Sequence, residues 1–339
     1  MKTKLYHPDA FSDRRFLITL SVVVAGAILA AFASGSSNAA ARSPASKSAT
    51  SVPRSVAAVR GLPAGGKNFW MQTNGPQGGE GIALARNSIG HVFVGTQGGG
   101  VFRSTDNAET WTGVNNGLTD TNVRALAINN ASGHIFGGTW SSGVFRSTDN
   151  GDSWTAVNNG LSSLSVRSLV TNSGGDVFAG TFDGGVYRSV DNGENWTVLD
   201  TGAAGHYVPA LAINASGNVF AATWDVKACT GVFRSTDNGD TWTEINNGLT
   251  NLGILSFAIN GNGDVFAGGD VDGLCGNGRV FRSTNNGDNW QLVQNGLNTG
   301  NGINGLLALL AAHCLLAVTG MACSVPRIME TIGRRSTRG

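Results

Sequence analysis

The sequence has few charged residues, and this excludes one large class of function. Only 13% of its 339 residues are Asp, Glu, Lys or Arg, the formal net charge is +1, and Lys227 is the single lysine after Lys67. Proteins that bind nucleic acid neutralise phosphates with clustered basic side chains. Because the sequence contains no basic stripe, nucleic acid is not an expected partner.

Histidine is also scarce, and no histidine lies near carboxylates or cysteines at the spacing of metal ligands. His91 and His134 occupy a repeat position that Asp176, Asn218 and Asp264 hold elsewhere, which is typical of polar turn residues. Glycine-rich segments such as 98–100 fall in hairpin turns rather than between a strand and a helix, so they do not predict a phosphate loop. The sequence therefore predicts no metal and no cofactor.

Helix-period patterns are missing between residues 68 and 305, where short apolar runs alternate with Gly, Asn and Ser. In the second repeat, the runs 123–129, 134–139, 144–147 and 154–158 predict four short strands. The 50 glycines suit a chain that turns back on itself constantly. Tandem four-stranded units predict an all-β fold, a β-propeller of antiparallel blades.

One phrase, Ser-x-Asp-x-Gly-x-x-Trp after Phe-Arg or Tyr-Arg, occurs five times, with two imperfect copies. Its serines lie 43, 42, 46 and 48 residues apart, close to the length of one blade, so residues 67–305 are expected to form five full blades. Ala108 replaces the glycine of the first copy, and Asn285 replaces the aspartate of the last. The residues of the five copies are Ser104, Asp106 and Trp111; Ser147, Asp149, Gly151 and Trp154; Ser189, Asp191, Gly193 and Trp196; Ser235, Asp237, Gly239 and Trp242; and Ser283, Asn285, Gly287 and Trp290.

This repeated turn resembles the Asp-box, or BNR repeat, of sialidases, sortilin-type receptors, xyloglucan-active glycosidases and photosystem II assembly factors. The resemblance covers residues 68–305 and implies a β-propeller, but it implies no single activity, because that superfamily contains enzymes and binding proteins alike. Residue chemistry explains the turn as a structural device: Asp149 can accept N–H groups of its own turn, Gly151 can supply a positive φ, and Trp154 can bury its ring between blades. We therefore expect these aspartates to be structural.

Residues 1–41 have the pattern of a secretory leader, because basic residues precede an apolar run over 16–33 and small residues at 39–41 offer a cleavage site. The run is also long enough to span a bilayer, so an uncleaved membrane anchor is the alternative. Residues 42–66 are rich in Ser, Ala, Pro and Gly and predict a flexible linker. A secreted, periplasmic or surface-held monomer is expected.

The fourth and fifth repeats are longer because the loop between their second and third strands is expanded. Each expanded loop carries one cysteine, Cys229 or Cys275, at the same end of neighbouring blades. In an exported protein this arrangement predicts a disulfide between the loops, worth about 4 kcal/mol in the chain-entropy model, and two free thiols are the alternative.

The same loops supply the candidate binding site, on the face opposite the repeated turns. The position after the second strand varies among repeats and is aromatic in three of them. With nearby aspartates, these rings could stack on sugars or hold peptide side chains, and packing between blades is the alternative. The predicted binding residues are Gln97, Trp140, Phe182, Asp183, Trp224, Asp225, Asp270 and Asp272.

A catalytic site is harder to assemble. The sialidases that the chain resembles need an arginine triad, a tyrosine paired with a glutamate, and an acid, whereas the propeller has only Tyr187 and Tyr207. A glycosidase with two aspartates stays open, since Asp225 could face Asp270 or Asp272 across a cleft. We expect a non-catalytic propeller that recognises a glycan or a protein; the alternatives are an extracellular glycoside hydrolase, sialidase-like or xyloglucanase-like, and an assembly factor.

The tail, residues 306–339, breaks the repeat just after a sixth blade begins. If its codons are read one nucleotide earlier, the permitted translations include Gly-Val-Phe-Arg-Ser-Thr-Asp-Asn-Gly-Asp-Asn-Trp-Thr across positions 322–334. This is a further copy of the repeated phrase at the correct spacing. We therefore predict a frameshift near positions 306–310 that has damaged the sixth blade.

Overall fold

The computed structural model describes residues 79–202, 207–225, 229–270, 278–293, 303, 305–308 and 314–317. The predicted leader and linker (1–41 and 42–66) lie outside these residues, as do positions 67–78 and most of the tail. Every regular element of the described part is a β-strand, and this part contains no helix suited to crossing a membrane.

Five four-stranded antiparallel sheets follow one another along the chain, and each sheet is one blade. Blade 1 comprises β1 (Gly81–Arg86), β2 (Val92–Thr96), β3 (Gly100–Ser104) and β4 (Thr112–Gly113); blade 2 comprises β5 (Val123–Ile128), β6 (Ile135–Thr139), β7 (Val144–Ser147) and β8 (Thr155–Ala156); blade 3 comprises β9 (Val166–Thr171), β10 (Val177–Thr181), β11 (Val186–Ser189) and β12 (Thr197–Leu199). Blade 4 comprises β13 (Tyr207–Ile213), β14 (Val219–Trp224), β15 (Cys229–Ser235) and β16 (Thr243–Glu244); blade 5 comprises β17 (Ile254–Ile259), β18 (Val265–Gly269), β19 (Val280–Ser283) and β20 (Gln291–Leu292). A two-stranded sheet of β21 (Gly305–Ala308) and β22 (Cys314–Ala317) follows, so the predicted β-propeller with an incomplete sixth blade is confirmed.

The first strands of successive blades, from β1 through β5, β9, β13 and β17 to β21, pack against one another, which places them nearest the propeller axis. The second strands of the blades are buried along their whole length in blades 1, 2, 3 and 5. Small residues allow this close packing, since a Cβ added to Gly138 would lie 2.5 Å from Val166 Cγ1 of the next blade. The core is therefore a series of layers between neighbouring blades.

The fourth strands are shorter than predicted. In blade 2 only Thr155–Ala156 pairs in the ladder, instead of the predicted 154–158. Trp154 instead donates from Nε1 to the Val114 carbonyl of blade 1. Asn158 Oδ1 accepts the N–H of Val144, the first residue of β7, at 2.7 Å. Both residues therefore bond through their side chains rather than in the strand ladder.

Each repeated turn is held by its own serine and aspartate. In the second copy, Ser147 Oγ donates to Asp149 Oδ1 and accepts the N–H of Gly151, both at 2.8 Å. Asp149 also accepts the N–H and the hydroxyl of Ser153 at 2.9 and 2.5 Å, and these hydrogen bonds lower the pKa of Asp149 to about 2. Asn150 and Gly151 have φ values of 63° and 93°, in the left-handed region that favours glycine and asparagine.

The two imperfect copies keep the same geometry. Ala108 adopts a φ of 70° in place of the glycine and is fully buried. Asn285 accepts hydrogen bonds from Ser283 Oγ and from the N–H of Asn289 at 2.9 and 3.0 Å, as an aspartate does in the other turns. A neutral amide oxygen is therefore enough to close the turn.

The repeated turns also join neighbouring blades. In four successive junctions, the arginine of the third strand donates from Nη1 to the carbonyl of the positive-φ asparagine in the next turn, at 2.5 to 2.8 Å, and pairs with an acid there. The arginines are Arg103, Arg146, Arg188 and Arg234, and their acids are Asp152, Glu194, Asp240 and Asp288. The indole Nε1 of Trp154, Trp196 and Trp290 donates to the carbonyl of the residue that follows the fourth strand of the preceding blade, whereas that of Trp242 donates to the Gly239 carbonyl within its own turn.

Candidate functional site

The position predicted to follow the second strand lies, in each blade, at the end opposite the repeated turn. In four blades, the N–H of the residue after the second strand donates to the carbonyl of the residue just before the first strand, with N···O distances of 2.7 to 3.0 Å. These pairs are Gln97 with Glu80, Trp140 with Asn122, Phe182 with Ser165 and Asp270 with Gly253. In blade 4, Trp224 still belongs to β14 and pairs with Tyr207 in the ladder.

Two arginines lie between the aromatic side chains of this face. The Arg167 guanidinium carbon is 3.8 Å from the Trp140 ring centroid, 4.8 Å from that of Phe182 and 5.7 Å from that of Tyr207. The corresponding carbon of Arg124 is 4.4 Å from the Trp140 centroid. These distances are typical of cation–π contacts.

The aromatic rings continue the row into blade 4. The Phe182 and Tyr207 centroids are 5.2 Å apart with an interplanar angle of 55°, and the Tyr207 and Trp224 rings meet edge to face at 5.5 Å and 87°. Both arrangements are favoured by ring quadrupoles. We call Arg124, Trp140, Arg167, Phe182, Tyr207 and Trp224 the arginine–aromatic cluster.

Burial shapes the electrostatics of the cluster. Burial, with a contribution from the nearby Arg167 charge, lowers the pKa of Arg124 to about 10, and burial also lowers the pKa of Arg167. Both guanidinium groups stay protonated at neutral pH, and the Nε atoms of both are buried without a hydrogen-bond partner. Burial raises the pKa of the Tyr207 hydroxyl, so this phenol is neutral rather than an activated nucleophile.

The arginines reach the cluster because of β-bulges. The pairing of β5 with β6 shifts register between Val123 and Ala125, and the pairing of β9 with β10 shifts opposite Arg167. A bulge leaves one residue outside the ladder and re-aims its side chain. Arg124 and Arg167 are these extra residues.

The predicted binding residues do not all join the cluster. Trp140 and Phe182 are linked through Arg167, and Phe182 and Trp224 through Tyr207, whereas Gln97 is exposed and lies outside the cluster. Trp140 differs from the expected open stacking platform, because two guanidinium groups already contact its ring. Phe182 is 47% exposed and is the accessible ring of the row.

The predicted aspartates surround the cluster at different depths. Asp183 is exposed and accepts a hydrogen bond from Ser163 Oγ, Asp225 is partly exposed, and Asp270 is 9% exposed with its charge raising the pKa of Tyr207. Asp272 lies outside the described residues. Across the part of the chain that the structure describes, no three His, Cys, Asp or Glu side chains are grouped as a metal site.

Cys229 begins β15 beside this face and is disulfide-bonded. Cys275 lies outside the described residues, so the predicted pairing of these two cysteines stays a prediction.

The sequence prediction missed Arg124, Arg167 and Tyr207. One signal was available: Arg124 and Arg167 each follow a buried valine at the start of a first strand in consecutive repeats, where a cation interrupts an apolar run. Tyr207 precedes the equivalent buried Val208 in the next repeat.

Comparison with solved structures supports the same architecture. An ancestral GH74 enzyme aligns with a TM-score of 0.58 and 21% identity over 75% of this chain and 36% of that chain, and the GH74 xyloglucanase from Xanthomonas campestris aligns with 0.56 and 18% over 73% and 45%. The structure described as YCF48 bound to D1 peptide aligns with 0.53 and 19% over 73% and 79%. This chain therefore spans less than half the length of these GH74 enzymes. No family model and no curated protein matches this chain. At these identities the likeness shows the fold alone, a β-propeller that GH74 enzymes and a peptide-bound protein share.

Proposed function

We propose that this protein is an exported, non-catalytic β-propeller of the Asp-box type that recognises a glycan or protein partner through the arginine–aromatic cluster. One observation carries the proposal: residues of three blades, from Trp140 to Trp224 in the sequence, converge as one partly exposed row through the Arg167–Trp140 and Phe182–Tyr207 contacts. A row of rings and guanidinium groups offers apolar contact and hydrogen-bond donors side by side, which is typical of recognition surfaces.

The arginine–aromatic cluster offers a ligand two kinds of contact, an exposed ring and guanidinium donors. Covering the exposed part of Phe182 would contribute about 2 kcal/mol at roughly 25 cal/mol per Å². The guanidinium groups of Arg124 and Arg167 form none of the ion pairs of the described residues, so their remaining donors are available to a ligand. The disulfide at Cys229 supports the proposed export, since such bonds persist in oxidising compartments.

The alternative is an extracellular glycoside hydrolase. GH74 enzymes are among the similar structures, and Asp225 and Asp270 follow the second strands of adjacent blades on the same face as the cluster. The separation between two carboxyl groups decides whether they can act as a glycosidase pair. Against this alternative, the cluster places arginines and a neutral phenol, rather than paired carboxyl groups, at its centre.

The two functions give different results with one panel of ligands. The purified protein would be applied to arrays of glycans, including xyloglucan oligosaccharides, and of peptides, and soluble glycan hits would be analysed for shortened products. We expect retention without turnover. Product formation that Asp225→Asn or Asp270→Asn abolishes would establish a hydrolase, and a folded protein that retains nothing on either array would refute recognition by this face.

Variants locate the binding surface. Phe182→Ala removes an exposed ring and should weaken binding at least tenfold, and the paired change Trp140→Ala with Trp224→Ala should abolish it. Ile89→Ala is the matched control, because Ile89 is 70% exposed but lies in the turn between β1 and β2, on the opposite face. If the tryptophan variant loses its fold, those rings pack between blades instead; equal effects of Phe182→Ala and Ile89→Ala would exclude the cluster as the binding surface.

A further inference from the structure

The junction between blades 3 and 4 shows what one blade offers to the repeated turn of the next. Arg188 Nη1 donates to the Asn238 carbonyl at 2.5 Å and to Asp240 Oδ1 at 2.9 Å. Asn172 Nδ2 donates to Asn238 Oδ1 at 2.8 Å, and Asn238 Nδ2 donates to Asp176 Oδ2 at 2.6 Å. An Arg, an Asn and an Asp of blade 3 therefore hold both the backbone and the side chain of one asparagine in the following turn.

Blade 5 carries the same three residue types at the same places. Asn260, Asp264 and Arg282 correspond to Asn172, Asp176 and Arg188. The local geometry matches as well, because the N–H of Asp264 donates to Asn260 Oδ1 at 2.9 Å and that of Asp176 donates to Asn172 Oδ1 at 2.8 Å. We call Asn260, Asp264 and Arg282 the blade 5 receptor.

The receptor groups bond to one another. Arg282 donates to Asp264 Oδ2 from Nη2 at 2.6 Å and from Nε at 3.1 Å, and Asn260 Nδ2 donates to the same oxygen at 2.9 Å. The Arg282 side chain is 41% exposed, whereas the four junction arginines are 16 to 20% exposed. The additional exposed surface lies where a following turn covers the arginine in the other blades.

The first repeated turn lacks the contact that later turns make with the blade before them. No blade precedes it within the described residues, and Trp111 Nε1 is buried without a hydrogen-bond partner. In three later turns, the equivalent atom donates to the preceding blade. Turn and receptor are thus two halves of one contact: no described blade precedes the first turn, and no described repeated turn follows the blade 5 receptor.

We propose that the blade 5 receptor binds a sixth repeated turn, of the sequence Ser-Thr-Asp-Asn-Gly-Asp-Asn-Trp that the tail would encode one nucleotide earlier. The carbonyl of the asparagine before the glycine and the carboxylate of the aspartate after it would accept hydrogen bonds from Arg282, in place of Asp264. Asn238 and Asp240 accept hydrogen bonds from Arg188 in the same way. The tail as written contains no tryptophan and no Ser-x-Asp-x-Gly sequence. Because β21 packs against β17 and β18, the inner strands of the sixth blade already adjoin blade 5, and the turn completes its outer part.

Binding of a synthetic peptide to the full chain tests this proposal. The peptide Gly-Val-Phe-Arg-Ser-Thr-Asp-Asn-Gly-Asp-Asn-Trp-Thr would be titrated by fluorescence anisotropy, beside a peptide in which the asparagine before the glycine is alanine. We expect saturable binding that the alanine peptide and the Arg282→Ala variant each weaken at least tenfold. Arg279→Ala is the matched control, because Arg279 is a partly exposed arginine near the start of the same strand that donates to Thr250 Oγ1 at 2.8 Å. This variant should bind the peptide as the unchanged chain does.

A second measurement tests the proposal if the short peptide binds too weakly to detect. Restoring the register of the tail in the full chain should raise the midpoint of thermal unfolding, and Arg282→Ala should lower that midpoint more in the restored chain than in the chain as written. The absence of both peptide binding and stabilisation, with the β-sheet circular dichroism intact, would overturn the proposal. Arg282-dependent association of two chains, measured by sedimentation, would also overturn it, because a second copy rather than the tail would then be the occupant.

Discussion

Replacing Trp154 with phenylalanine separates the hydrogen bond of a blade junction from its packing. Trp154 is 4% exposed, lies in the core cluster shared by blades 1 and 2, and donates from Nε1 to the Val114 carbonyl at 2.8 Å. A phenyl ring fills most of the indole site, but the carbonyl loses its donor and a small void opens. Trp111→Phe is the matched control, because Trp111 occupies the same position in the first turn without a hydrogen bond from Nε1.

The magnitudes follow from these contacts. The lost hydrogen bond costs about 1 kcal/mol. A void of about 40 Å³ adds about 1 kcal/mol at roughly 24 cal/mol per Å³. Trp154→Phe should therefore lower the free energy of unfolding by about 2 kcal/mol, and Trp111→Phe by about 1 kcal/mol or less, since only the packing changes there.

Urea unfolding followed by far-ultraviolet circular dichroism measures the difference without relying on tryptophan emission. We expect the midpoint to fall further for Trp154→Phe at an unchanged m value, and the thermal midpoint to fall by about 4 to 8 °C. Equal losses for the two variants would refute the reasoning, because the indole hydrogen bond would then add nothing to the junction.

Two further predictions concern the repeated turns. The folded-state pKa of Asp149 is about 2, below its ordinary 3.8, so its contribution to stability is complete above pH 3.8 and is lost as the pH falls toward 2. Asp149→Asn, which copies Asn285, should make the urea midpoint less dependent on pH between 5 and 2; an unchanged dependence would contradict this. Gly287→Ala should lower the free energy of unfolding by about 2 kcal/mol or more, because the glycine has a φ of 93° and a Cβ would lie 2.4 Å from Ile245 Cδ1. Ala108→Gly should change the free energy of unfolding by less than about 1 kcal/mol. A smaller effect of Gly287→Ala than of Ala108→Gly would contradict the strain argument.

The fold was predictable because its signals are local and repeated. A turn such as Ser147–Trp154 closes through hydrogen bonds between residues two to four positions apart, so its sequence specifies its shape without the rest of the chain. Repetition at the length of a blade then predicts the propeller. The predicted fourth strand was too long because Trp154 bonds to another blade, a contact that no local pattern contains.

The candidate site was predictable only in part. Trp140, Phe182 and Trp224 could be placed on one face, because the repeat assigns them equivalent positions. The partners Arg124 and Arg167 escaped prediction, because a bulge aims each of them and because Arg167 also contacts the rings of Trp140 and Tyr207 from the two neighbouring blades. Distances between side chains of different blades depend on the curvature of the ring, which the sequence does not display.

The arginines of this propeller divide into two groups, and the division supports the proposed binding face. The third-strand arginines recur in every blade, and in four junctions each donates to a backbone carbonyl and an acid of the next turn, so the fold uses their charge fully. Arg124 and Arg167 occur in two blades only, and neither joins an ion pair of the described residues. Burying a charge that forms no close ion pair costs free energy, which the cation–π contacts and the more distant charges of Glu80, Asp120 and Asp183 offset only in part. A scaffold built from copies has no structural need for such a departure, so the departure from the repeat at the arginine–aromatic cluster is where selection for binding is expected.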